Sequence, residues 1–129
     1  MKTAWIVDDD EEMARAISLM LKLLDYQTRH FLNARTGAQT LLTGQRPDVL
    51  ILDISMPEVS GIDMLEFLRR RREWDTLPIV MLSSEHTDVQ VDKALGLGAD
   101  AYVFKPVTLD ELEHALTSAI EKRSNFSRK

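Results

Sequence analysis

Five side chains of types that handle phosphate and divalent cations each follow an apolar run. Asp8 and Asp9 come directly after TAWIV (3–7), and Asp53 directly after DVLIL (48–52). Ser83 follows IVML (79–82), and Lys105, itself followed by Pro106, comes after DAYVF (100–104). Three carboxylates gathered at one place repel one another and cannot all stay ionised without a counter-charge. A divalent cation supplies that charge. An all-oxygen donor set suits magnesium, which takes one or two carboxylates, keeps several waters and engages phosphate. A carboxylate is also a nucleophile toward phosphoryl groups. A metal ion and an ammonium neutralise charge on the oxygens in transit, and a hydroxyl hydrogen-bonds one of them. Taken singly these residues are bland: an acidic run caps a helix, an Asp at a strand end makes a turn, and Lys-Pro sits in a loop. Together at successive strand ends they make a site that accepts a phosphoryl group on Asp53, provided the fold gathers them.

The elements that must gather them are legible as alternating patterns. Residues 3–7 and 48–52 are apolar runs of the kind found in strands covered on both faces. Residues 27–32, 79–82 and 100–104 complete five expected strands. Between them lie helical periodicities. Ala14, Ile17, Leu21 and Leu24 mark a helix over 11–24, and Glu11 and Glu12 suit the positive end of its first turn. Helices are also expected over 34–43, 61–72 and 88–95. The last, over 108–122, opens on Thr108 with Glu111 three residues later, a capping box. Strands alternating with helices imply a parallel sheet joined by right-handed crossovers. The fold class is therefore α/β, a doubly wound five-stranded parallel sheet with five helices. Such sheets bind ligands beyond the carboxyl ends of their strands, where all five candidate residues stand.

The chain has 129 residues, enough for one domain, and a formal net charge of −5. Asp8 to Glu12 are five consecutive acids; without them the remaining 16 acidic residues balance the 16 basic ones. The surplus charge is thus local to the candidate metal site, and it argues against nucleic-acid binding by this domain. With Mg²⁺ bound, Asp8, Asp9, Asp53, the ion and Lys105 sum to roughly zero, as an incoming phosphoryl group requires. There is no cysteine, which excludes thiolate zinc sites, iron–sulfur clusters and cysteine nucleophiles. No apolar stretch approaches the ~18 residues of a membrane span, and the four apolar residues Ala4 to Val7 are too few for a secretory signal. A cytoplasmic protein is expected. His30, His86 and His114 are scattered without ligand spacing, the six Met residues suit core filling, and Arg69 to Arg72 read as a solvated helix end.

The stretches IVDDD (6–10), LILDISMPEVSGIDML (50–65), LPIVMLSS (77–84) and GADAYVFKP (98–106) resemble the receiver domain of bacterial two-component response regulators, in the chemotaxis-regulator style. The resemblance runs from Lys2 to about Lys122, with 1–122 as the receiver domain and 123–129 as a polar basic tail or linker. It implies a flavodoxin-like sheet of strand order 2-1-3-4-5. Asp53 is then the phosphoacceptor. Asp8, Asp9, Asp53 and the backbone carbonyl of Ser55 hold Mg²⁺, with Asp8 acting largely through water. Ser83 and Lys105 stabilise the phosphoryl group, Ser83 and Tyr102 form the switch, and the bond before Pro106 is cis. The implied partners are a sensor histidine kinase or histidine phosphotransfer protein, docking near Met13 and Ala16, and an unidentified output domain or partner. Phosphorylation shifts the face of helix 4, strand 5 and helix 5. Ser55 and Glu85 stand where the family controls water access to the phosphoryl group.

Three other classes fit less well. An aspartate-nucleophile phosphohydrolase needs an acid two residues after its nucleophile, where this chain has Ser55. A flavin mononucleotide carrier needs a hydroxyl- and glycine-rich loop after strand 1, where this chain has five acids. A degenerate receiver would lack part of the site. A homodimer through helices 4 and 5 is allowed by the resemblance, but its charged pairs are incomplete: Asp100 and Lys93 are present, and LDELEHAL (109–116) lacks the expected arginine.

Overall fold

The computed structural model describes residues 1–84 and 87–126; Glu85 and His86, named above, lie outside the described residues, as does the end of the tail. Five strands, β1 (Lys2–Val7), β2 (Tyr26–Phe31), β3 (Val49–Asp53), β4 (Ile79–Ser83) and β5 (Ala101–Phe104), form one parallel sheet in the order β2-β1-β3-β4-β5. The helices α1 (Glu11–Leu23), α2 (Ala34–Leu42), α3 (Gly61–Arg69), α4 (Asp88–Gly96) and α5 (Leu109–Ser124) alternate with them.

Alternation along the central strands builds two cores. Leu50 and Leu52 of β3 and Ile79 and Met81 of β4 face α2, α3 and α4. Val49, Ile51, Val80 and Leu82 face α1 and α5. Every residue of β3 and β4 is buried, which explains their unbroken apolar runs. Each fully buried Leu or Ile contributes ~1.5–3 kcal/mol relative to exposure. The polar strand ends are therefore held by a rigid apolar base.

Each α-helix starts on a side-chain cap: Asp10, Asn33, Ser60, Thr87 and Thr108 all accept backbone N–H groups of their first turns. The expected box of Thr108 and Glu111 is present, and Ser60 with Asp63 forms a second. Gly61 opens α3 against the end of β3, donating its N–H to Ile54 at 3.0 Å. A Cβ at Gly61 would collide with the carbonyl of Asp53, so only glycine lets α3 start this close to the strand.

Four expectations are corrected at the opposite edge of the sheet. The third helix ends at Arg69 rather than 72, and a single 3-10 turn follows over Arg72–Trp74. Arg69 is not solvated. Its guanidinium turns inward, donating to the carbonyls of Trp74 (2.7 Å), Leu77 (2.7 Å) and Gly98 (2.9 Å) and to Asp100 Oδ2 (2.9 Å). Burial first, and then the neighbouring Arg123, pull Arg69 down to about 10, still charged at neutral pH. The last helix runs to Ser124, past the expected end at 122. Arg123, expected in the tail, is buried and donates to Asp100 Oδ1 (2.7 Å) and to the carbonyls of Asp75 (2.9 Å) and Gly98 (3.0 Å). Asp100, which also accepts the N–H of Ile79 at 2.9 Å, is buried and bonded within the chain. Arg69 and Arg123 thus join the ends of α3 and α5 to the starts of β4 and β5.

Candidate functional site

The carboxyl ends of β1, β3, β4 and β5 bring the expected residues to one edge. Asp8 directly follows β1 and is fully buried. Its N–H donates to the Phe31 carbonyl at 3.0 Å, continuing the β1–β2 ladder, and its Oδ1 accepts the Asp10 N–H at 2.9 Å. Its Oδ2 is buried without a hydrogen-bond partner. Asp9 is exposed, and Asp53, the last residue of β3, is 2% exposed. One carboxylate oxygen from each of Asp8, Asp9 and Asp53 lies within 4.8 Å of the others.

Lys105 reaches into this group from just after β5. Its Nζ is 3.1 Å from Asp53 Oδ1 and 3.5 Å from Asp8 Oδ2. The Lys105–Pro106 bond is cis, as expected. Burial drives Asp53 up from 3.8 to about 6, the Asp8 charge adds to the rise, and Lys105 opposes it. Burial would lower Lys105, but its hydrogen bond to Asp53 and the charges of Asp53 and Asp8 outweigh burial and raise it. One ammonium therefore does not neutralise the site, since Asp53 remains hard to ionise. Three carboxylates facing one ammonium, with a buried Asp8 Oδ2 that makes no hydrogen bond, are a donor set that a hard divalent cation satisfies.

Ser83 ends β4 and is buried. Its neighbour Leu82 is the register partner of Asp53, and its own carbonyl accepts the Lys105 N–H at 2.8 Å. Ser83 therefore stands between the Asp53 and Lys105 strands. Ser55 is exposed in the loop after β3. Tyr102 pairs in register with Met81, and Phe104 with Ser83, so both aromatics share the face on which Ser83 lies. Their rings pack at 5.2 Å, and both are partly buried. Of the residues noted near α1, Met13 packs against the core and Ala16 is exposed.

Sequence reasoning missed three contributors. Phe104 is the register neighbour of Ser83, a relation fixed only once β4 and β5 are aligned. Gly61 had a signal, a glycine at the start of a helix pattern after a strand end. His30, set aside as scattered, bonds the backbone of Asp8 (Nε2 to O, 2.7 Å) across 22 residues of sequence.

The family model for the response regulator receiver domain matches residues 4–117. The transcriptional regulatory protein KdpE of Mycobacterium tuberculosis is 36% identical over 126 residues, covering 96% of this chain and 53% of KdpE. The transcriptional regulatory protein CpxR of Klebsiella pneumoniae is 38% identical over 128 residues, covering 98% of this chain and 52% of CpxR. The chain thus spans about half the length of these relatives. Among solved structures, the signal receiver domain of a histidine kinase from Syntrophus aciditrophicus superposes with a TM-score of 0.84 at 26% identity, covering 100% of this chain and 97% of that one. The chemotaxis protein CheY4 of Vibrio cholerae shares the fold with a TM-score of 0.82 at 24% identity, covering 92% of this chain and 98% of that one. No helix among the described residues is long and apolar enough to cross a membrane. Strand order, acidic strand ends and family match agree: the chain belongs to the response regulator receiver domain family, the phosphoacceptor signalling switches of two-component systems.

Proposed function

We propose that Asp53 is the phosphoacceptor and that a sensor histidine kinase or histidine phosphotransfer protein supplies the phosphoryl group. The observation that carries this is the Lys105 ammonium, 3.1 Å from Asp53 Oδ1 and 3.5 Å from the buried Asp8 Oδ2, inside a cluster short of positive charge. Receiver domains bind Mg²⁺ at such an aspartate group. Here Asp8, Asp9, Asp53 and the Ser55 carbonyl would hold the ion, which would neutralise charge on the transferred group. An Asp53 carboxylate oxygen attacks the phosphorus of a phosphoimidazole. The new O–P bond forms as the N–P bond breaks, and the imidazole leaves with its electron pair and takes up a proton. Lys105 pairs with one phosphoryl oxygen, and the Ser83 hydroxyl donates to another.

That new hydrogen bond draws Ser83 toward Asp53 and vacates space on the face shared with Tyr102 and Phe104. A rearrangement of β5 and its neighbours α4 and α5 is the output signal. The names of the relatives favour a transcriptional output, delivered by another domain or partner because the acidic edge repels a nucleic-acid backbone. Turnover of free phosphate esters is disfavoured, since exposed Ser55 offers no acid where a hydrolase needs one. The test is intact mass after incubation with acetyl phosphate and Mg²⁺. The parent gains about 80 Da, the mass of a phosphoryl group, and Asp53→Ala does not. The same adduct on both would place the acceptor elsewhere.

A further inference from the structure

His30 sits on β2 as the register partner of Ile6 on β1, so its ring lies on the α1 side of the sheet. It is half-buried, and its Nε2 stands 2.7 Å from the main-chain carbonyl oxygen of Asp8. A carbonyl only accepts, so Nε2 carries the hydrogen and donates it. The other polar atoms of Asp8 are held as well. Its N–H is bound by Phe31, its Oδ1 is bound by Asp10, and its Oδ2 alone is left facing Lys105. The carbonyl that His30 grips belongs to the peptide joining Asp8 to Asp9. The orientation of that peptide plane fixes where the Asp9 Cα, and hence its carboxylate, projects relative to Asp8 and Asp53.

We propose that His30 is a positioning residue for the cation-binding carboxylates, acting through the main chain. The inference rests on the assignment of Asp8 and Asp9 as ligands. Asp9 is exposed and follows the last strand residue of β1 by two positions, so its backbone needs an external tether to present a fixed carboxylate. Asp10 supplies one tether on the far side, through its N–H to Asp8 Oδ1, and His30 supplies the other through the carbonyl. A ligand pair locked before the ion arrives loses less conformational freedom on binding, and removal of such outer partners commonly weakens metal binding 10–100-fold.

The test is a calorimetric titration of Mg²⁺ into the parent, His30→Phe, His30→Gln and Asp9→Asn, with melting in EDTA as the check on folding. Phe keeps a ring but loses the donor, whereas Gln keeps an N–H donor at similar reach. His30→Phe should bind Mg²⁺ about tenfold more weakly than the parent, with His30→Gln within about threefold of it, both melting near the parent in EDTA. Binding by His30→Phe equal to the parent would show that the contact is idle. Loss of binding in His30→Gln equal to that in His30→Phe would show that the ring, not the hydrogen bond, matters. Asp9→Asn separates the two levels: if it binds like the parent, or the parent itself does not bind, the ligand assignment fails and this inference with it.

Discussion

Asp53 is held in a position that disfavours its own charge. Its carboxyl sits at about 6 rather than 3.8 because it is buried and next to Asp8, with Lys105 only partly offsetting both. A carboxyl raised on folding lends stability that is complete below its unfolded value and is lost as the pH rises through its folded one. In EDTA the parent should therefore lose stability between about pH 4 and pH 6–7. Asp53→Asn removes that loss, and Lys105 retains Asp8 as a partner. At pH 7.5 the variant should melt several degrees above the parent, a gain of about 1–2 kcal/mol, and the two should converge below pH 4. Saturating Mg²⁺ should close the gap from the other side, because an ion bound only by the native state stabilises the parent by mass action. Thermal melts across pH with and without Mg²⁺ check this, and equal melting at pH 7.5 in EDTA would contradict it. The acids and the lysine were readable in sequence because each directly follows an apolar strand. His30 was not, since its partner is set by the register of β1 against β2.

At the scale of elements, the contact between β3 and α3 decides how Asp53 is presented. Gly61→Ala would drive its Cβ into the peptide that follows Asp53, so either α3 retreats or that peptide turns. The expected outcome is a loss of about 2–4 kcal/mol in denaturant unfolding, with phosphorylation by acetyl phosphate slowed at least about tenfold. Gly96→Ala is the matched control. A Cβ there meets nothing within 4 Å, and the residue lies within α4, so the change should be neutral or slightly stabilising. Equal effects from the two substitutions would remove the special standing of Gly61. Element order and type were legible from apolar runs, helical periodicity and helix caps, and strand ends fell within a residue or two of expectation. The end of α3 was not legible. Four consecutive arginines are good helix formers, and the acceptors that turn Arg69 inward, the carbonyls of Trp74, Leu77 and Gly98 and the carboxylate of Asp100, are brought close only by the tertiary fold.

Across the whole molecule the two edges of the sheet differ in kind. The carboxyl edge holds carboxylates short of positive charge, while the opposite edge holds Asp100 between two guanidiniums with every bond satisfied. Removing one partner of such a buried set leaves charge uncompensated, so Arg123→Ala, or a chain ending at Lys122, should lose about 3 kcal/mol in urea unfolding. A loss under about 1 kcal/mol would mean that the last turn of α5 is dispensable. Sequence could not reveal this cluster, because Arg69, Asp100 and Arg123 are 31 and 23 residues apart along the chain and each is charged, hence expected at the surface. The cluster also sets the geometry of any movement between β4 and β5. Their starts are pinned at a single point, so a parting of the two strands would pivot there like the arms of tongs and stretch the Lys105 N–H bond to the Ser83 carbonyl at the far end. Over arms of roughly 15 Å, set by five residues of strand, a displacement of about 1 Å at Ser83 corresponds to a swing of about 4°, and the arms open widest at the edge where the phosphoryl group would arrive.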